Sequence, residues 1–92
     1  MTDADIDVVE KYVSDLWRPT KKAPRPPIAL SGDFDRIEID LSKWAEKSDA
    51  DILLCRLAQA MGAKGYNWDF WFCDTDKSTL CVSYKESEEE VP

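Results

Sequence analysis

Two periodicities organise this chain. Ile6, Val9, Val13, Leu16 and Trp17 recur at helical spacing, a clean stripe down one side of an amphipathic helix. Thr2 with Asp5 three residues later supplies a capping-box start. Asp3, Asp7 and Glu10 line the outer side of the same helix. Acids near an N-terminus favour the helix dipole, and Asp7 can pair with Lys11 one turn on, so dipole and solubility account for most of this acidic stripe. A second helix is expected from Ser48 and Asp51, with Leu53, Leu57 and Met61 on one face. Ile52, Leu54, Cys55, Ala58 and Ala60 widen that face, so most of the circumference is expected to be buried, leaving Arg56 and Gln59 to solvent. Gly62 falls where a left-handed residue ends a helix, and Gly65 closes the connection.

From Tyr66 the period changes to two. Tyr66, Trp68, Phe70 and Phe72 point one way; Asn67, Asp69, Trp71 and Cys73 point the other. After a polar turn, Leu80, Val82 and Tyr84 form the apolar side of a partner strand. Opposed residues share a face, so the hairpin needs an odd-length loop. A three-residue loop, 76–78, sets Phe72 opposite Val82 and Cys73 opposite Cys81. A five-residue loop pairs Cys73 with Thr79, and the sequence leaves both open. This unit, residues 50–84, is the piece on which the rest packs.

Four further segments lie between the helices and one follows the hairpin. Residues 18–27 hold four prolines and four basic residues, an extended connector. Its charges can lie against the acidic surface, or touch a phosphate backbone. Pro24 to Pro27 also matches P-x-x-P, a proline-rich ligand motif; the connector reading is favoured because the match is short. Ile28, Ala29 and Leu30 suit a short edge strand or an anchoring loop. Residues 35–41 alternate, with Ile37, Ile39 and Leu41 inward, a half-buried strand. Ser42 can cap a helical turn whose Trp44 folds back over the core. Residues 86–92 form an acidic tail. The expected fold is one α+β domain over residues 1–85, ordered α-β-α-β-β, with a three-stranded, largely antiparallel sheet and helices on one face.

Charge narrows the partners. Nineteen acids against twelve bases give −7, which disfavours direct binding to nucleic acid or an anionic membrane. No transmembrane run or signal peptide is apparent, and three cysteines without a framework spacing fit a reducing compartment, so a cytoplasmic protein is expected.

Chemistry is sparse. The chain has no histidine, which removes histidine-based nucleophile systems, histidine zinc ligands and the usual neutral-pH base. Cys55 is expected in the core. Cys73 and Cys81 invite a disulfide or a metal, but two thiols fall short of the usual four zinc ligands and the cytoplasmic reading favours reduced thiols. Asp74-Thr-Asp76 lacks the glycine and distal glutamate of a calcium loop and reads as turn chemistry. No catalytic, cofactor or metal residue is assigned.

Trp71 is the informative anomaly, a tryptophan on the polar side of its strand beside Asp69. Either the N-terminal helix covers it, or it is an anchor for another protein. The reading that follows is a non-enzymatic inhibitor or adaptor. Its acidic surface (Asp3, Asp7, Glu10, Asp69 and Trp71) would dock on a basic, nucleic-acid-handling protein and occlude it. In size, charge and lack of catalytic motifs the chain resembles small acidic phage-encoded inhibitors such as anti-CRISPR and anti-restriction proteins. The alternative is a structural protein acting through homo-oligomerisation.

Overall fold

A computed structural model describes residues 1–17, 24–33 and 35–85. Residues 18–23 of the predicted connector and the predicted tail, 86–92, lie outside the described residues. The elements are α1 (Asp3–Leu16), β1 (Ile28–Leu30), β2 (Ile37–Asp40), α2 (Lys47–Ala63), β3 (Trp68–Phe72) and β4 (Thr79–Tyr84). The class is α+β as expected, but the sheet has four strands rather than three and the order is α-β-β-α-β-β. The added strand is the short apolar run at 28–30, the edge strand rather than the anchoring loop, though it is too brief for alternation to decide between them. It is held by pairing with β2, where Ile28 faces Ile39 and Leu30 faces Ile37.

Spatially the strands run β1-β2-β4-β3, every neighbour antiparallel. The chain is thus two successive αββ units whose second strands meet in the centre of the sheet. One face carries the helices. Val9 and Val13 of α1, with Leu53, Leu57 and Met61 of α2, are buried against Ile37, Ile39, Leu80 and Val82. Each such side chain contributes roughly 1.5–3 kcal/mol by leaving water.

α1 begins as its sequence directs. The Thr2 amide donates to Asp5 Oδ2 at 2.8 Å, completing the capping box. No ion pair joins Asp7 to Lys11 among the described residues. α2 starts earlier than Ser48, with Glu46 as its N-cap, and its buried side is narrower than expected. Only Ala50, Leu53, Leu57 and Met61 are buried, while Ile52 is 47% exposed and Cys55 is an exposed free thiol. The helix lies on one sheet face with its far side open, so the extra apolar residues meet solvent. Gly62 is helical. Gly65 instead takes the left-handed turn, at φ +93°, with its amide bonded to the Gly62 carbonyl and that of Tyr66 to Met61. That pair of bonds is the Schellman ending, three residues later than the sequence suggested.

No helix forms at 42–46. Asp40 accepts the Ser42 amide and Trp44 donates its amide to Leu41, which makes a turn. Trp44 does fold back: it is buried, stacks on Trp17 with centroids 4.3 Å apart, and donates Nε1–H to the Pro24 carbonyl at 2.6 Å. Pro26 is buried, Asp40 donates its amide to Pro27, and Arg25 reaches Ser14 Oγ. Residues 24–27 are therefore held against the domain as a connector, by the Pro24 and Pro27 carbonyls and the buried Pro26.

Candidate functional site

The sheet face opposite the helices is open among the described residues. Alternation places Glu38, Cys81 and Trp71 side by side on it, since Glu38 pairs with Cys81 and Cys81 with Trp71. Asp69, opposite Ser83, follows along β3. Trp71 is 36% exposed, so the covered alternative does not hold: α1 lies on the other face. Cys81, although it points outward, is fully buried between its cross-strand neighbours.

The hairpin register decides how the cysteines meet. Phe72 stands opposite Leu80 and Phe70 opposite Val82, and Cys73 donates its amide to Thr79. This is the five-residue loop, not the three-residue one. Loop chemistry explains the choice. Ser78 Oγ donates to Asp74 Oδ2 at 2.7 Å, its amide donates to Asp76 Oδ1, and Lys77 takes the left-handed conformation at φ 59°. Lys77 then anchors the loop to α2 through Asp51 Oδ2 at 2.6 Å. Cys73 and Cys81 become diagonal rather than direct neighbours, their Cα atoms 6.4 Å apart, and they form a disulfide. Reduced thiols were expected there; the pairing geometry brings the two sulfurs together.

Carboxylates with shifted acidity are turn and cap groups. The Ser31 hydroxyl holds Asp35 below the ordinary range, Ser42 does so for Asp40 and Ser78 for Asp76. All three shifts serve local backbone geometry. Around the Trp71 face the charges are mixed: Arg36 bonds Glu38 Oε2 through Nε and Nη2 at 3.3 and 3.2 Å, and touches Asp35 at 3.4 Å.

The five residues singled out from sequence do not form one surface. Asp3 and Asp7 are exposed and Glu10 half-buried on α1, in the helix layer, whereas Asp69 and Trp71 sit on the opposite side of the sheet. Glu38 and Arg36 were missed, because an outward charge in an alternating strand is indistinguishable from a solubility residue until the register is known. A cleft of about 340 Å³ between the end of α1 and α2 also went unseen. It is lined by Leu16, Trp17, Asp49, Ile52, Leu53 and Arg56. No helix among the described residues is long and apolar enough to cross a membrane. No protein-family model, curated protein or solved structure matches this chain.

Proposed function

We propose that this is a non-catalytic protein-binding domain of the cytoplasm, an inhibitor or adaptor. Its open sheet face docks on the basic, nucleic-acid-binding surface of a partner protein. The observation that carries the reading is Trp71, exposed on a sheet face that no helix among the described residues covers. A rigid tryptophan with acids beside it suits an interface centre, where aromatic anchors concentrate binding energy, and the net charge of −7 steers it toward a basic surface. Asp69 is the near acid. Asp3, Asp7 and Glu10 contribute to the long-range field from the far side rather than to the same footprint.

Affinity capture from nuclease-treated host lysate tests this with two variants. Trp71→Ala with Asp69→Asn should lose a basic, nucleic-acid-binding protein that the wild type holds at low salt and releases at high salt. Asp3→Asn, Asp7→Asn and Glu10→Gln together should retain it with a flatter salt dependence. Retention by both variants alike would sink the proposal.

One feature favours the homo-oligomer reading. β3 is an edge strand whose odd-numbered residues bond β4, as the Cys73–Thr79 and Lys85–Asn67 bonds mark. The backbone groups of Trp68, Phe70 and Phe72 therefore point outward, unpaired by the described strands. Two copies pairing antiparallel about Phe70 would set Asp69 against Trp71 of the other copy. Sedimentation equilibrium separates the readings: a stable dimer abolished by Phe70→Pro favours self-assembly, and a monomer favours the partner.

A further inference from the structure

The outward sides of the three paired strands bring both disulfide sulfurs and one carboxylate to a point. Glu38 stands directly opposite Cys81, Cys73 reaches Cys81 on the diagonal, and the two Sγ atoms and a Glu38 carboxylate oxygen lie within 4.8 Å of one another. Both Arg36 contacts fall on Glu38 Oε2, and Oε1 makes no hydrogen bond among the described residues.

We propose that the Cys73–Cys81 disulfide is the closed state of a redox-gated cation site. When it is reduced, the two thiolates and Glu38 bind a thiophilic divalent ion of the zinc type. Tetrahedral zinc holds sulfur at about 2.3 Å and carboxylate oxygen at about 2.0–2.2 Å, which requires ligand atoms on the order of 3.5–3.8 Å apart. To reach that spacing the sulfurs must part from their bonded 2.03 Å, and the carboxylate oxygen already lies within 4.8 Å of both. Two thiolates select zinc over magnesium or calcium. The set carries three negative charges against two on the ion; Arg36, which it shares with Asp35, offsets part of the excess and fixes the carboxylate, the outer-shell support that ligating carboxylates need. Three protein ligands leave the fourth tetrahedral position open.

The steps balance. A dithiol reductant delivers two electrons and two protons; the Sγ–Sγ bond breaks, two thiols form, and the reductant closes to its own disulfide. The incoming ion then displaces both thiol protons to solvent as two metal–sulfur bonds form.

Cobalt(II) alone is the probe, on the full chain carrying Cys55→Ser so that the exposed thiol contributes nothing. Reduced protein should bind one equivalent with a thiolate-to-cobalt charge-transfer band that zinc abolishes, and oxidised protein should give no band. Glu38→Gln should weaken binding by at least about tenfold while disulfide formation in air is unchanged. No band in the reduced protein, or equal affinity in Glu38→Gln, overturns the proposal. Circular dichroism is followed throughout: if reduction unfolds the chain, refolding with the band on cobalt addition supports the site, and failure to refold with no band rejects it.

Discussion

Tyr84, at the end of the last strand, donates its hydroxyl to Oδ2 of Asp5 in the first turn of α1, a tie across 79 positions of sequence. The same oxygen accepts the Thr2 amide, so one carboxylate both caps α1 and fastens it to the sheet. Burial opposes ionisation of Asp5, but the bonds from Tyr84 and Thr2 outweigh it and hold the carboxyl below its usual 3.8. The bond to Asp5 also holds the Tyr84 phenol above its usual 10.0.

The pair therefore has a defined pH window. Asp5 is lowered on folding, so its contribution is present above 3.8 and disappears as pH falls through its folded value. Tyr84 is raised, so its contribution is present below 10.0 and disappears as pH rises through its folded value. Tyr84→Phe should cost about 0.5–1 kcal/mol near neutrality, the low end because the bond is exposed. Urea unfolding at several pH values should show the variant and wild type converging in acid.

Trp44 closes the far side of the core, stacked on Trp17 and bonded to Pro24. Trp44→Ala should destabilise the fold by about 3–5 kcal/mol. Trp44→Phe keeps part of the stack but leaves the Pro24 carbonyl without its donor, and should cost less. Denaturant midpoints of the two variants check the ranking.

The two glycines at the end of α2 should respond in opposite directions. Gly65 has a positive φ although a methyl group there would meet nothing within 4 Å. Gly65→Ala should therefore cost about 1–2 kcal/mol through backbone strain alone. Gly62 is helical with equally open space, and Gly62→Ala should stabilise by roughly 0.5–1 kcal/mol. Thermal melts of both variants decide it.

Reducing the disulfide in the presence of a chelator should lower stability by roughly 2.5 kcal/mol, the loop-closure value for a sequence separation of 8. The chelator keeps any trace metal from restoring the link. Unfolding measured with and without reductant, in the Cys55→Ser background, reads the difference.

Strong periodicity made much of this fold legible. The α1 stripe at Val9 and Val13, the alternation of Ile37, Ile39 and Leu41, and the parity of the hairpin all follow from which positions must face a core. Tertiary context decided the remainder. A three-residue strand at 28–30 has no period to read, and exists because β2 offers it a partner. Both hairpin registers satisfied the same parity, and only the hydrogen bonds of Asp74, Asp76 and Ser78 separate them. Cys55 looked internal because Ile52, Leu54 and Ala58 around it are apolar, yet the helix has only one side to bury. At the candidate site, Trp71 was visible as an outward aromatic. Glu38 was not, since its proximity to the cysteines is a property of pairing rather than of spacing.

The diagonal disulfide also makes the β3–β4 hairpin a one-ended zipper. Its loop end is riveted by a covalent bond and pinned to α2 by Lys77. The other end, where Asn67 meets Lys85, is joined by a single backbone bond of 3.2 Å beside the Gly65 turn. Once the Tyr84–Asp5 bond breaks, local opening therefore runs from Trp68 and Tyr84 toward the cysteines. Amide exchange along the hairpin should slow step by step in that direction, and the Trp71 face should keep its shape while the far end breathes.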